Sequence, residues 1–238
     1  MPDMTRNKAH ADRSVETSNG DTRKTLPHQR AIDRGLLRPG DALVIVDMQN
    51  DFVSGSLAVP GGGEVTPVLN RYIDIFTRQH LPVIATRDWH PPHHRSFRES
   101  GGDWPAHCVA SSAGAAFVPA LALPPDAIVI SKGTQTDREA YSGFAGTDLD
   151  RQLRARGVSR LFVGGLATDY CVLNTVLDAR RCGYDVFLLA DGIRAVNIRA
   201  GDGSRAEAKM QRAGTIAVRI DAVAPEVKSG AMASGQHR

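Results

Sequence analysis

The chain is poor in cysteine: three in 238 residues. They cannot all pair, and none stands at a spacing that suggests a disulfide framework, so free thiols in a reducing compartment are expected. Long apolar runs are missing too. No stretch approaches the roughly 18 to 20 residues needed to cross a bilayer, and no apolar signal segment follows Met1. A cytoplasmic protein with no membrane partner is the expectation. Aromatic residues make up 5% of the chain, and the 29 basic and 26 acidic residues leave a formal charge of +3. No dense Lys/Arg face with interleaved aromatics appears, which argues against nucleic acid as a partner. What remains, 42% hydrophobic and 23% charged, is an ordinary globular composition with enough chain for one sizeable core.

Residues 1–40 are polar, mixed in charge and aperiodic. Such a segment buries too little apolar area to offset its own ordering, so a disordered or loosely packed extension is expected there. Residues 41–221 read as one domain and 222–238 as a polar tail. Within the domain, short β-branched runs at 42–46, 82–86, 127–130, 161–163, 185–189 and 215–220 alternate with helical spacing. The helical stretches centre on Val68 to Phe76, Leu149 to Ala155, Tyr170 to Cys182 and Ala206 to Ala213. That alternation implies an α/β fold: a doubly wound, mostly parallel sheet of about six strands with helices on both faces.

The stretch from Leu161 to Cys182 carries the first chemistry. Leu161, Phe162 and Val163 form an apolar run, Gly164 and Gly165 are expected to break it, and helical spacing starts at Tyr170. Cys171 then falls in a first helical turn, where free N–H groups and the helix dipole favour a thiolate. The glycines would let backbone N–H groups converge as an oxyanion site requires. The plainer alternative is a small buried hydrophobe beside glycines that only permit close packing.

Other polar residues stand at strand ends. Asp47 ends the first run, where open α/β sheets bind ligands; a turn or cap role is the alternative. Asp88 and His90 are one residue apart, so in an extended segment their side chains point the same way and can share a metal ion. His107 is the best third ligand, with His93, His94 and Glu99 in the same loop. An Asp/His/His set with open positions suits zinc, iron or manganese in a catalytic site. Both tryptophans, Trp89 and Trp104, lie in this loop. Lys132 follows the third strand; beside a carboxylate and a thiolate it would stay charged and hold both, while a solvated lysine is the alternative. Asp47, Asp88, Lys132 and Cys171 each follow a predicted strand and so share one edge of the sheet.

From Asp41 to Ile220 the sequence resembles the nicotinamidases, or pyrazinamidases, of the isochorismatase-like cysteine hydrolases. The motifs that carry the resemblance are Val46-Asp47-Met48-Gln49-Asn50-Asp51-Phe52, Asp88-Trp89-His90-Pro91, Trp104-Pro105-Ala106-His107-Cys108, Lys132-Gly133, Tyr141-Ser142-Gly143-Phe144 and Gly165 to Val172. The resemblance implies a catalytic triad of Asp47, Lys132 and Cys171. It also implies one divalent metal on Asp88, His90 and His107, with His94, Ser96 or Glu99 as a further ligand. A cis peptide before Ala167 and an oxyanion site from the N–H groups of Ala167 and Cys171 are implied as well. Nicotinamide, the implied small-molecule substrate in NAD salvage, would lie between Phe52, Trp104 and Tyr141. A homo-oligomer is compatible with this reading. The segment between Phe97 and Trp104 is shorter than in some nicotinamidases, which alters the expected pocket rim. Two rivals remain: a sibling hydrolase acting on a carbamoyl or ureido amide or an isochorismate-like ether, and a non-catalytic metal or thiol sensor.

Overall fold

A computed structural model describes residues 36–223. The expectations for residues 1–35 and 224–238 lie outside the described residues. Six strands, β1 (Asp41–Val46), β2 (Val83–Asp88), β3 (Ile128–Lys132), β4 (Arg160–Leu166), β5 (Asp185–Arg194) and β6 (Ile216–Val218), form one sheet in the order β3-β2-β1-β4-β5-β6. Every pairing is parallel. The helices are α1 (Asn50–Val53), α2 (Val65–Arg78), α3 (Leu149–Arg154), α4 (Leu173–Arg181), α5 (Asp202–Arg212) and α6 (Ile220–Val223).

The layering follows from period-2 alternation along β1. Leu43 and Ile45 face one core with Leu69, Tyr72 and Phe76 of α2, while Ala42, Val44 and Val46 face the other with Leu149, Leu153 and Val176. A strand covered on both faces needs a continuous apolar run, and Ala42 to Val46 supplies it. Asp41 is buried at its start because Arg160 forks onto it at 2.6 and 2.7 Å, and the same guanidinium holds the carbonyl of Leu36. Leu36 itself packs on the first core.

The order of strands reverses beside β1. β2 and β3 build outward on one side and β4 to β6 on the other, so the carboxyl ends of β1 and β4 open the crevice where such sheets take ligands.

Three boundaries differ from the sequence expectation. Gly164 and Gly165 do not break β4, which runs through them to Leu166. They are there for close approach: a Cβ on Gly164 would stand 2.9 Å from Leu69, and one on Gly165 would stand 2.1 Å from the carbonyl oxygen of Val46. β5 likewise continues past Asp191-Gly192 to Arg194, leaving register after Leu188 and pairing again at Ile193. Asp191 is tolerated there because Tyr72 Oη and the N–H of Ile220 donate to its carboxylate. β6 is shorter than expected, and Ile220 begins α6.

Gly165, with φ of +122°, has both a backbone and a steric reason to lack a side chain. Gly165→Ala should lower stability by more than about 2 kcal/mol, read as a fall in the urea midpoint. An unchanged midpoint would show that β1 and β4 can part without cost.

Candidate active site

Four chain segments meet at the carboxyl edge of β1 to β4. Lys132, the last residue of β3, is fully buried and sends its ammonium between three groups. Asp47 Oδ2 lies 2.8 Å away, Asp88 Oδ1 2.5 Å and Cys171 Sγ 3.4 Å. A carboxylate oxygen of Asp47, one of Asp88 and the sulfur of Cys171 all fall within 4.8 Å of one another. Asp47 reaches this point because the chain turns immediately after β1, with φ of +49°, a conformation that aspartate tolerates better than most residues. Its other oxygen accepts the hydroxyl of Thr86 at 2.6 Å.

Cys171 does not open an α-helix, as its spacing had suggested. After a cis Leu166–Ala167 peptide the chain makes a wide π turn over Thr168–Val172, and α4 starts only at Leu173. The sulfur is buried at the base of the cavity, which works against the thiolate expected from a helix terminus. Burial pushes the Cys171 thiol well above its ordinary value, Lys132 pulls the other way, and the carboxylates of Asp47 and Asp88 push up again. Burial also raises Asp47, against the pull of Lys132. Asp88 ends lower than an ordinary carboxyl: burial opposes this, but Lys132 and His90 outweigh it. Lys132 is held firmly charged, since the two carboxylates overcome its desolvation.

Asp88, His90 and His107 form a second group, each offering a ligand atom within 4.8 Å of the others. Local pairing explains how a distant loop delivers His107: the N–H of His90 donates to Cys108 O and the N–H of Ala110 to His90 O, so residues 107–110 run beside the extension of β2. The imidazoles are oriented from behind. His90 Nδ1 lies 2.9 Å from Gly133 O and His107 Nδ1 2.8 Å from Pro105 O. A carbonyl only accepts, so Nδ1 carries the proton in each ring and Nε2 is left as the donor atom for a metal. Burial pushes His107 down, toward the neutral form a ligand needs. This donor set fits a divalent metal ion with N and O ligands.

Of the three candidates for a further ligand, His94 and Ser96 are buried and paired with each other. Both ring nitrogens of His94 are engaged, Nδ1 with Ser96 Oγ at 2.7 Å and Nε2 with Arg138 O at 3.0 Å, and Glu99 is exposed. His94 also stacks on His90, with centroids 4.1 Å apart. His93 is exposed, and Trp89 packs away from the site under Arg87.

A small cavity of about 30 Å³ covers the cluster. Phe52, Trp104, Tyr141, Ala167 and Cys171 all line it, together with Asp88 and His107. Trp104 Nε1 donates to Tyr141 Oη at 3.0 Å, and Tyr170 packs edge-on against Trp104. A roomier concavity lies along β5 and β6, around Phe187 and Val218, but it gathers no nucleophile and base.

Several contributors were not singled out from sequence. Leu57, Val59, Tyr170 and Val196 complete the apolar wall. Gln49 holds the main chain of Asp88 from both sides, donating to its carbonyl and accepting its N–H, both at 2.8 Å. Asp51 accepts the N–H of Cys108 at 2.7 Å and so anchors the loop that bears His107. Gln49 and Asp51 stood inside a quoted motif, which was the available signal; Thr86 and Val196 carried none.

Known proteins share this arrangement of chain. The nicotinamidase of Escherichia coli is 41% identical over 198 residues, covering 74% of this chain and 93% of that protein. A zinc complex of the pyrazinamidase of Pyrococcus horikoshii superposes with a TM-score of 0.73 at 48% identity, covering 76% of this chain and 99% of that one. PnC1 of L. infantum, solved with nicotinate, superposes at 0.71 with 37% identity, covering 77% and 94%. The isochorismatase domain matches residues 41–219, and this chain therefore belongs to the isochorismatase family.

Proposed function

We propose that the chain is a nicotinamidase, hydrolysing nicotinamide to nicotinate and ammonia through a thioester on Cys171, as a step of NAD salvage. The observation that carries this reading is the buried Lys132 ammonium, which touches Asp47, Asp88 and Cys171 at the floor of an aromatic-walled cavity. The nicotinamidase relatives and the nicotinate complex support the choice of substrate.

Attack by the buried Cys171 thiol requires a base, and Asp47 offers a carboxylate oxygen within 4.8 Å of the sulfur. Asp47 takes the thiol proton as sulfur bonds to the carboxamide carbon; the carbonyl oxygen becomes an oxyanion facing the backbone around Ala167 and Cys171. The C–N bond then breaks and Asp47 returns the proton to the departing nitrogen, which leaves as ammonia. A water gives a proton to Asp47 and its oxygen attacks the thioester carbon. The S–C bond breaks, the sulfur recovers the proton from Asp47, and nicotinic acid leaves, losing its carboxyl proton to solvent or the released ammonia to become nicotinate. Lys132 favours the ionised form of Asp47 against the effect of burial and offsets charge on the sulfur. Phe52, Trp104 and Tyr141 hold the flat ring so that its carboxamide faces the sulfur. Asp88, His90 and His107 would hold one divalent metal ion, zinc, iron or manganese, which supplies a Lewis-acid anchor for a ring nitrogen.

Nicotinamide should release ammonia, hydroxylamine should trap a nicotinoyl group from the thioester, and Cys171→Ala should lower kcat by about 10⁴-fold or more. Turnover of an N-carbamoyl amino acid with none of nicotinamide would replace this reading with that of a ureido hydrolase.

Metal analysis of the purified protein should find about one divalent ion per chain, and His107→Ala should bind it at least about 100-fold more weakly. Iodoacetamide should still alkylate Cys171 in that variant. Full metal content after the substitution would remove His107 from the ligand set.

A further inference from the structure

Thr86 is a polar residue in a strand whose neighbours Ile84 and Ala85 are fully buried, and it is fully buried itself. A hydroxyl there is costly unless it is hydrogen-bonded. Its partner is Asp47, twice over: the side-chain hydroxyl donates to Asp47 Oδ1 at 2.6 Å, and the main-chain carbonyl accepts the N–H of Asp47 at 3.1 Å.

The direction of that hydroxyl is set from the far side of the residue. The Thr86 methyl lies against Gly143, where a Cβ would come within 2.9 Å of it. Gly143 is itself pinned, its N–H donating to Thr175 Oγ1 at 2.9 Å and its carbonyl accepting Thr147 Oγ1 at 2.5 Å. With the methyl confined by this loop, the hydroxyl is left on Asp47.

The consequence falls on the other carboxylate oxygen. The terminal torsion of an aspartate is broad, so a carboxylate without a directional partner samples many orientations. Here Oδ1 is claimed by Thr86. Oδ2 is buried, has Lys132 Nζ at 2.8 Å, and makes no hydrogen bond of good geometry. It is the oxygen left available to the thiol.

We infer that Thr86 is a positioning residue, which fixes the Asp47 carboxylate so that Oδ2 meets the proton of Cys171. It acts on bond making and not on substrate binding. The inference rests on the reading of Asp47 as base and Cys171 as nucleophile.

Thr86→Val keeps the volume and removes the donor; Thr86→Ser keeps the donor and removes the methyl. In the valine variant kcat for nicotinamide should fall about 10- to 100-fold, the worth of a hydrogen bond to a charged group, with KM changed less than about twofold. Alkylation of Cys171 by iodoacetamide, followed by peptide mass, should slow about tenfold, and serine should restore both to within about threefold of wild type. On an Asp47→Asn background the valine substitution should change the alkylation rate no further, since the effect runs through Asp47. Unchanged alkylation in Thr86→Val, equal loss in Thr86→Ser, or a full additional loss beside Asp47→Asn would each overturn the inference. Should the valine variant fail to fold, Gly143→Ala displaces the threonine with its hydroxyl intact. Slower alkylation there supports the inference, and an unchanged rate overturns it. Alkylation needs no substrate, so a wild type that leaves nicotinamide untouched would sink the proposed function while Thr86 is still judged.

Discussion

A single buried ammonium holds this site together. Taking a lysine out of water costs several kcal/mol, and it is recovered only when ionised partners stand at contact distance. Lys132 has two, Asp47 and Asp88, and a sulfur besides. The carboxylates come from the ends of β1 and β2, the lysine from β3 and the thiol from the turn after β4, so one cation gathers the ends of four strands. Removing one partner from such a cluster leaves an uncompensated charge inside the protein, which costs about 3 to 5 kcal/mol. The same contacts therefore serve the fold and the chemistry.

Charge accounting links this cluster to the group beside it. Burial is the main force that pushes the Cys171 thiol up; Lys132 pulls the other way, and the two carboxylates, which outnumber the one ammonium, add to the upward push. Asp88 belongs to both groups, with Oδ1 on Lys132 and Oδ2 3.5 Å from His90 Nε2. A divalent cation held by Asp88, His90 and His107 would offset the surplus without touching Asp47. Asp47 and the candidate metal group are thus electrically coupled through one carboxylate, Asp88.

The strand ends were readable from sequence because a buried parallel strand must be apolar throughout, so the polar residues just past each run mark the sheet edge. Asp47, Asp88 and Lys132 each announced themselves in that way, and the structure brings all three to Cys171. Local geometry was less legible. Gly164 and Gly165 read as breakers because glycine usually ends a run, whereas here they stay in β4 to admit Leu69 and the backbone of Val46. Cys171 read as an α-helical residue because a π turn and an α turn bury nearly the same positions. Thr86 gave no signal at all, since threonine is common in strands for reasons unrelated to its hydroxyl.

Floor and wall of the cavity answer to different constraints. The floor must hold a base, a cation and a sulfur within a few ångströms, and its carboxylates and the adjoining histidine loop are locked by main-chain contacts: Asp47 through Thr86, Asp88 through Gln49, the His107 loop through Asp51. The wall has a looser requirement. Phe52, Leu57, Val59, Trp104, Tyr141, Tyr170 and Val196 need only present an apolar slot of the right width, and most come from loops outside the sheet. A change there alters which amide fits without disturbing how it is cleaved. In the proposed reading, amide cleavage by a buried thiol is therefore a property of the strand ends, and the choice of a flat aromatic substrate is a property of the loops above them.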